Sequence, residues 1–204
     1  MTASSPDEIA LAGRLAAGDK ASFEALYRRH NSAMVRLATA IVKSRHTAEE
    51  VSQDAWVAVL RNIGRFECRS SLTAWIFTIL TNKARTRAAR DGRMVSFDSD
   101  GEDDGLAAAF DGRGRWKDLP ALWEEVTPEQ IIAGRNLLDH VNRAIEALPP
   151  SQQAVLLLRG QEGLGPADIC AALGISDGAL RVLLHRARLA VRRRLDAALA
   201  EDRP

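Results

Sequence analysis

Six arginines, Arg181, Arg186, Arg188, Arg192, Arg193 and Arg194, fall between residues 181 and 194 with no acid among them. A guanidinium forks onto phosphate oxygens or onto the paired acceptors of guanine, so this residue type at this density points to a polyanion. A second basic run, "NKARTRAARDGR" at residues 82–93, sets Lys83, Arg85, Arg87, Arg90 and Arg93 against Asp91 alone and opens with Asn82, an amide able to read a base edge. Between the two lies "SFDSDGEDDGLAAAFDG", with Asp98, Asp100, Glu102, Asp103, Asp104 and Asp111 and no base. The net charge of +1 thus conceals two basic zones flanking an acidic connector, the pattern of two polyanion-binding modules on one chain. Solvated helix faces carry charge runs too, and charge alone does not separate the two readings.

The C-terminal basic run has a recognisable support. In "GPADICAALGISDGALRVLLHRAR", Pro166 suits the first turn of a short helix, Gly174 ends it where a left-handed residue is needed, and Ser176 caps the next helix. This is helix-turn-helix spacing. Cys170, four residues before the glycine, reads as the small side chain that close helix packing demands, and Leu180 as the anchor of the second helix. At about 100° per residue, Leu180, Leu184, Ala187 and Val191 form a packing stripe, with Gly178, Arg181, Val182 and His185 roughly opposite. Arg181 and His185 would enter the major groove, with Arg186, Arg188 and Arg192 to Arg194 near phosphates. Arg188 lies towards the flank, where it could equally pair within its own domain.

The first half reads as four helices. Ser5-Pro6-Asp7-Glu8 is a capping box with proline in the first turn, and Gly18-Asp19 ends that helix and caps the next, from about Lys20 to Lys43. Phe23, Leu26, Tyr27, Met34, Leu37, Ala38 and Ile41 give the second helix its apolar stripe. Thr47-Ala48-Glu49-Glu50 predicts the start of a third helix that stops near Gly64, and a fourth runs from about Ser71 to Arg90. Residues 95–126 read as an acidic linker, in which Trp116, Leu119, Leu122 and Trp123 are too apolar for an idle tether. Thr127-Pro128 caps a helix running to Leu148, and another is expected from about Gln152 to Gly160. The fold class is all-α: two small helical domains, residues 1–94 and 127–204, joined by an acidic linker, with the helix-turn-helix in the second.

Two cysteines are too few for a disulfide framework, and "MTASSPDEIALAG" lacks the basic start and apolar core of a signal peptide. No apolar stretch approaches the roughly 20 residues that span a bilayer. A cytoplasmic protein without direct membrane insertion is expected. The four histidines are scattered and the cysteines lack ligand spacing, so neither a metal nor another cofactor is expected.

The stretch "LPPSQQAVLLLRGQEGLGPADICAALGISDGALRVLLHRARLAVRRRL" resembles region four of bacterial sigma factors of the extracytoplasmic-function group. Independently, "AAGDKASFEALYRRH", "TAEEVSQDAWVAVLRN" and "RFECRSSLTAWIFTILTNKARTRAAR" resemble successive parts of region two of the same family. The resemblance implies a two-domain sigma subunit, with no enzyme activity of its own, that joins core RNA polymerase through the β′ clamp and β flap, recognises promoter DNA and helps to melt it. It also implies control by an anti-sigma factor, often in a stress response. Glu49, Glu50, Gln53 and Asp54 would lie on the helix that docks on the clamp, a helix that also offers Val51, Ala55, Val59 and Leu60 for packing. Phe66, Glu67, Cys68, Arg69 and Ser70 would form a loop pocket for a flipped base of the minus-ten element, with Asn82 adjacent and Lys83 and Arg85 on phosphates. Trp75, seven residues before Asn82, belongs to the core rather than to a stacking platform. Gly178, Arg181, Val182, His185, Arg186 and Arg188 would serve the minus-thirty-five element. The chain departs from the family at Val182 and Leu183, where small polar or basic residues are common, and at Gly165-Pro166-Ala167, so base-by-base readout and the phosphate contacts of that entry do not carry over. With so little chain after the last helix, no appended sensory domain is expected.

Two other classes compete. A stand-alone helix-turn-helix regulator explains residues 148–194 but leaves the first ninety or so without a purpose. A metal-dependent nuclease would need the acids of the linker to act as ligands, where no histidine or cysteine joins them.

Overall fold

The computed structural model describes residues 5–93 and 134–201, and within them the chain forms eight α-helices and no strand. The linker expected at 95–126, with Trp116 and Trp123, and the cap expected at Thr127 lie outside the described residues.

Helix α1 spans Pro6–Ala16, α2 Lys20–Val42, α3 Arg45–Asn62 and α4 Leu72–Arg90. The first capping box is complete: Ser5 Oγ accepts from the Glu8 amide at 3.3 Å, and Glu8 Oε2 accepts from the Ser5 amide at 3.0 Å. The other carboxylate oxygen of Glu8 accepts from the Leu72 amide at 3.0 Å, so one side chain starts α1 and ties it to the start of α4. Asp19 caps α2 through the amides of Ala21 and Ser22, and these bonds, led by one from the Ser22 hydroxyl, hold its carboxyl below the usual range. Helix α3 begins one turn earlier than Thr47 predicts. Ser44 has extended backbone and accepts from the Thr47 amide at 3.3 Å, which makes Thr47 the third residue of the helix rather than its cap. A 3₁₀ turn, Ile63–Arg65, follows α3, and Ser71 caps α4 through the Ala74 amide at 3.1 Å.

In the second half, α5 spans Gly134–Glu146, α6 Pro150–Leu156, α7 Pro166–Leu173 and α8 Asp177–Glu201. Helix α6 starts two residues before the expected position, because a proline in a first turn forfeits no helical bond. It runs into a π-helical turn, Leu157–Gln161. Gly174 has φ +61°, the left-handed conformation that the turn requires, and Ser176 caps α8 by accepting from the Ala179 amide at 3.1 Å.

Met34, Leu37, Ile41, Phe77 and Leu80 from the first half and Leu158, Ile169, Leu173 and Leu180 from the second are all at or below 1% exposure and belong to one continuous apolar cluster. Helices α2, α3 and α4 pack on one another, while α7 packs on α4 and α6 meets α2. The two halves share a core.

Candidate nucleic-acid interface

Only part of the α8 surface expected to read DNA is open to solvent. Gly178 and Arg181 are exposed, and Val182 is half-buried beside them. Arg181 donates to the Asp177 carboxylate one turn earlier. Both groups are about half exposed, a setting in which an ion pair is worth little and is readily exchanged for another acceptor. His185 does not face outward as expected: it is 7% exposed. Helix α8 packs on α5 and α6 as well as on α7, so the middle of the helix is covered on more sides than one apolar stripe suggests. Burial, then the charges of Arg188 and Arg186, lower the His185 pKa and favour the neutral ring. Arg186 and Arg188 are half-buried, and burial followed by the nearby Arg159 lowers the Arg188 pKa. The packing face also differs in detail: Leu180, Leu183 and Ala187 are buried, whereas Leu184 and Val191 are half-buried. Cys170 packs partly against the core as expected, and burial raises its thiol pKa.

The loop ahead of α4 is held from beneath. Phe66 and Trp75 lie with ring centroids 5.2 Å apart and both pack on the core, so Trp75 supports the loop. Cys68 adopts φ +57°, a strained conformation for a side-chain-bearing residue that re-aims the loop at that point. Glu67 and Arg69, both exposed, pair with each other, and Ser70 Oγ meets the Ser71 carbonyl at 3.4 Å. On α4, Asn82 is exposed and Lys83 half-buried. Arg85 is not with them: its Nη2 donates to the carbonyl of Leu173, the last residue of α7. Its Nη1 lies so near Gly174 that a Cβ there would come within 3.2 Å.

Helix α3 turns a different face outward. Glu50, Gln53 and Asp54 are exposed, as are Val57 (46%) and Leu60 (42%), giving a stripe that is acidic at its start and apolar at its end. Glu49 bonds Arg45 at 3.0 Å, and Glu50 meets both His46 and Arg87, at 3.3 and 3.2 Å. Of the apolar residues offered for packing, Val51, Ala55 and Val59 serve the domain's own core, and only Leu60 is exposed. Tyr27, Phe23 and Trp56 form an aromatic cluster between α2 and α3.

The sequence pattern gave no sign of the seam between the halves. His30 Nδ1 and Glu162 Oε2 lie 2.5 Å apart with both side chains 4% exposed. Ser71 Oγ donates to Asp168 Oδ2 at 3.4 Å, and Arg85 donates to the Leu173 carbonyl. His30 stands one helical step of four from both Leu26 and Met34, so its burial could have been read from the stripe. Its partner, 132 residues away, could not.

Among the described residues, no helix is long and apolar enough to cross a membrane, and no group of three or more His, Cys, Asp or Glu is placed to hold a metal ion. Two families match the chain in order: Sigma-70 region 2 over residues 26–94, and Sigma-70, region 4 over residues 138–191. The chain is 29% identical over 192 residues to the RNA polymerase sigma-H factor of Pseudomonas aeruginosa, with 94% of this chain and 95% of that one covered. It is also 29% identical to the ECF RNA polymerase sigma-E factor of Escherichia coli K12, covering 89% and 90%. The sigma factor RpoE of Bartonella quintana, solved in complex with the anti-sigma factor NepR, shares the fold, with a TM-score of 0.55 at 23% identity over 89% of this chain and 98% of that one.

Proposed function

We infer the function of this chain from the family it belongs to, the extracytoplasmic-function group of bacterial RNA polymerase sigma factors. It is an alternative sigma factor, a transcription-initiation subunit that binds core polymerase and recognises promoter DNA. The observation that carries this reading is the ordered presence of both sigma regions on one chain, the second built on a helix-turn-helix with its left-handed turn glycine. A stand-alone regulator accounts for only the second of these.

Within this reading, residues 1–94 form the polymerase-docking and minus-ten domain and residues 127–204 the minus-thirty-five domain, joined by the linker. The exposed stripe of α3, with Glu50, Gln53, Asp54, Val57 and Leu60, docks on the β′ clamp; exposed apolar side chains beside carboxylates suit a basic helical partner. The second half meets the β flap. The loop from Phe66 to Ser70 and Asn82 take the minus-ten element, an arrangement supported by an exposed amide beside a loop braced on Trp75. Arg181, with Gly178 and Val182, reads the minus-thirty-five element, and Arg186 and Arg188 work from the flank. His185 contributes by packing.

An anti-sigma factor controls the chain, a reading supported by the fold it shares with a sigma factor solved in such a complex. The work takes place in the cytoplasm, where promoter DNA is, and involves no catalysis by the chain itself. The test is run-off transcription with bacterial core polymerase on a pool of genomic promoter fragments at a stated salt concentration, with and without the protein. New discrete transcripts are expected. Silence, together with no complex on gel filtration, would return the chain to the class of stand-alone regulators.

A further inference from the structure

We propose that Glu8 is a positioning residue for minus-ten recognition: its carboxylate makes α1 a brace that fixes both ends of the loop from Phe66 to Ser70. This rests on the sigma-factor reading above and on the place given there to that loop.

Helix α1 carries none of the residues that reach polymerase or DNA in that reading, yet it touches the loop's entry and its exit. On the entry side, the 3₁₀ turn Ile63–Arg65 packs on α1. On the exit side, Glu8 Oε1 accepts from the Leu72 amide at 3.0 Å, 64 positions along the chain. Ala12 and Leu15 of α1, Ile63 before the loop and Leu72 after it are all buried in the same apolar cluster. Glu67 and Arg69 stand exposed between these two anchored ends.

The chemistry of Glu8 suits the task. Leu72 is the first residue of α4, so its amide has no carbonyl to bond within its own helix. The residue is also 1% exposed, and a buried amide without an acceptor is destabilising. A carboxylate answers this with a charge-assisted bond and sets its negative charge at the positive end of α4. Its second oxygen is committed to the Ser5 amide at 3.0 Å, and Ser5 in return caps α1, so the side chain cannot swing off the loop without opening the start of its own helix. Between the anchored ends Cys68 holds φ +57°, a conformation that persists only where the surroundings over-determine it. A loop that reads a base needs such support, because a binding constellation works only within about 0.5 Å of its productive geometry.

The test uses the full chain with core polymerase and a promoter recovered from the genomic pool. Transcription from that promoter is divided by transcription from the same fragment with one minus-ten base replaced, and a second ratio is taken for one minus-thirty-five base. In Glu8→Ala the minus-ten ratio is expected to fall about tenfold while the minus-thirty-five ratio keeps the parent's value. Ser5→Ala removes the other half of the capping box and leaves the Leu72 bond, so both of its ratios should match the parent's. A general loss of folded chain lowers both terms of each ratio together and does not produce this split. Equal minus-ten ratios in Glu8→Ala and the parent, or an equal fall in Ser5→Ala, would overturn the positioning role and leave the sigma-factor function standing. A parent that gives no transcript would overturn that function, and the role with it. A second measurement needs no variant: amide hydrogen exchange in the parent, followed by NMR, is expected to be at least about tenfold slower at Leu72 than at the exposed Arg69. Exchange as fast at Leu72 as at Arg69 would show that Glu8 does not hold the start of α4.

Discussion

Helices α3 and α4 are neighbours in the same half of the molecule, both amphipathic and both dense in charge, yet they meet the second half in opposite ways. The charged stripe of α3 continues into Val57 and Leu60 and stays in solvent, whereas α4 is covered by α7 and gives Arg85 to the turn after it. Two acids of α3 pair within the first half, Glu49 with Arg45 and Glu50 with His46 and with Arg87 of α4. The joints of the seam link residues 88 to 132 positions apart. Charge pattern therefore marks a surface as suited to a partner, but a distant segment decides whether that surface is free.

The largest break in this comparison should come from the open face. Val57→Glu with Leu60→Glu is expected to weaken core-polymerase binding by about 2 kcal/mol, roughly thirtyfold, by titration calorimetry, while chemical denaturation moves by less than about 0.5 kcal/mol. An unchanged affinity would place the docking face elsewhere. Next comes the reading helix: Arg181→Ala should lose about 1–3 kcal/mol of discrimination at one upstream base pair, measured in polymerase-bound promoter complexes. Asn82→Ala should instead impair strand opening, followed by permanganate reactivity, and leave upstream binding intact. A smaller effect concerns where α3 begins. Ser44→Ala should cost about 1 kcal/mol of stability and Thr47→Ala less, since Ser44 is the residue at the cap.

The smallest effect is a pH dependence in the second half. The His185 pKa lies below its unfolded value, so between the two the unfolded chain binds more protons and stability falls as pH drops below about 6.5. The part of the slope in Tm against pH that His185→Gln removes should have this sign; a parent and variant with parallel slopes would show that the ring titrates alike in both states.

Much of this fold was legible because its signals are local. Ser5, Asp19, Ser71, Gly174 and Ser176 each sit where capping or turn chemistry places them. Thr47 misled because Ser44, three residues earlier, offers the same chemistry and adds another turn of backbone bonds. His185 misled for a tertiary reason: helical projection gives a direction, and only the packing of α5 and α6 shows that this direction is covered. Arg85 shows the same limit more sharply, since its partner is a main-chain carbonyl that no side-chain pattern announces. Val57 was missed because the apolar residues read on that helix, Val51, Ala55, Val59 and Leu60, mix its buried side with its exposed one.

The sigma-factor reading is tested most directly by the binding of a labelled promoter fragment to the chain alone and to the chain bound to core polymerase, at one salt concentration. The account predicts weak binding with little sequence preference for the free chain, and tight binding lost on mutation of either promoter element for the complex. Tight, sequence-specific binding by the free chain would contradict it, because the chain would then read promoters without polymerase, as a stand-alone regulator does.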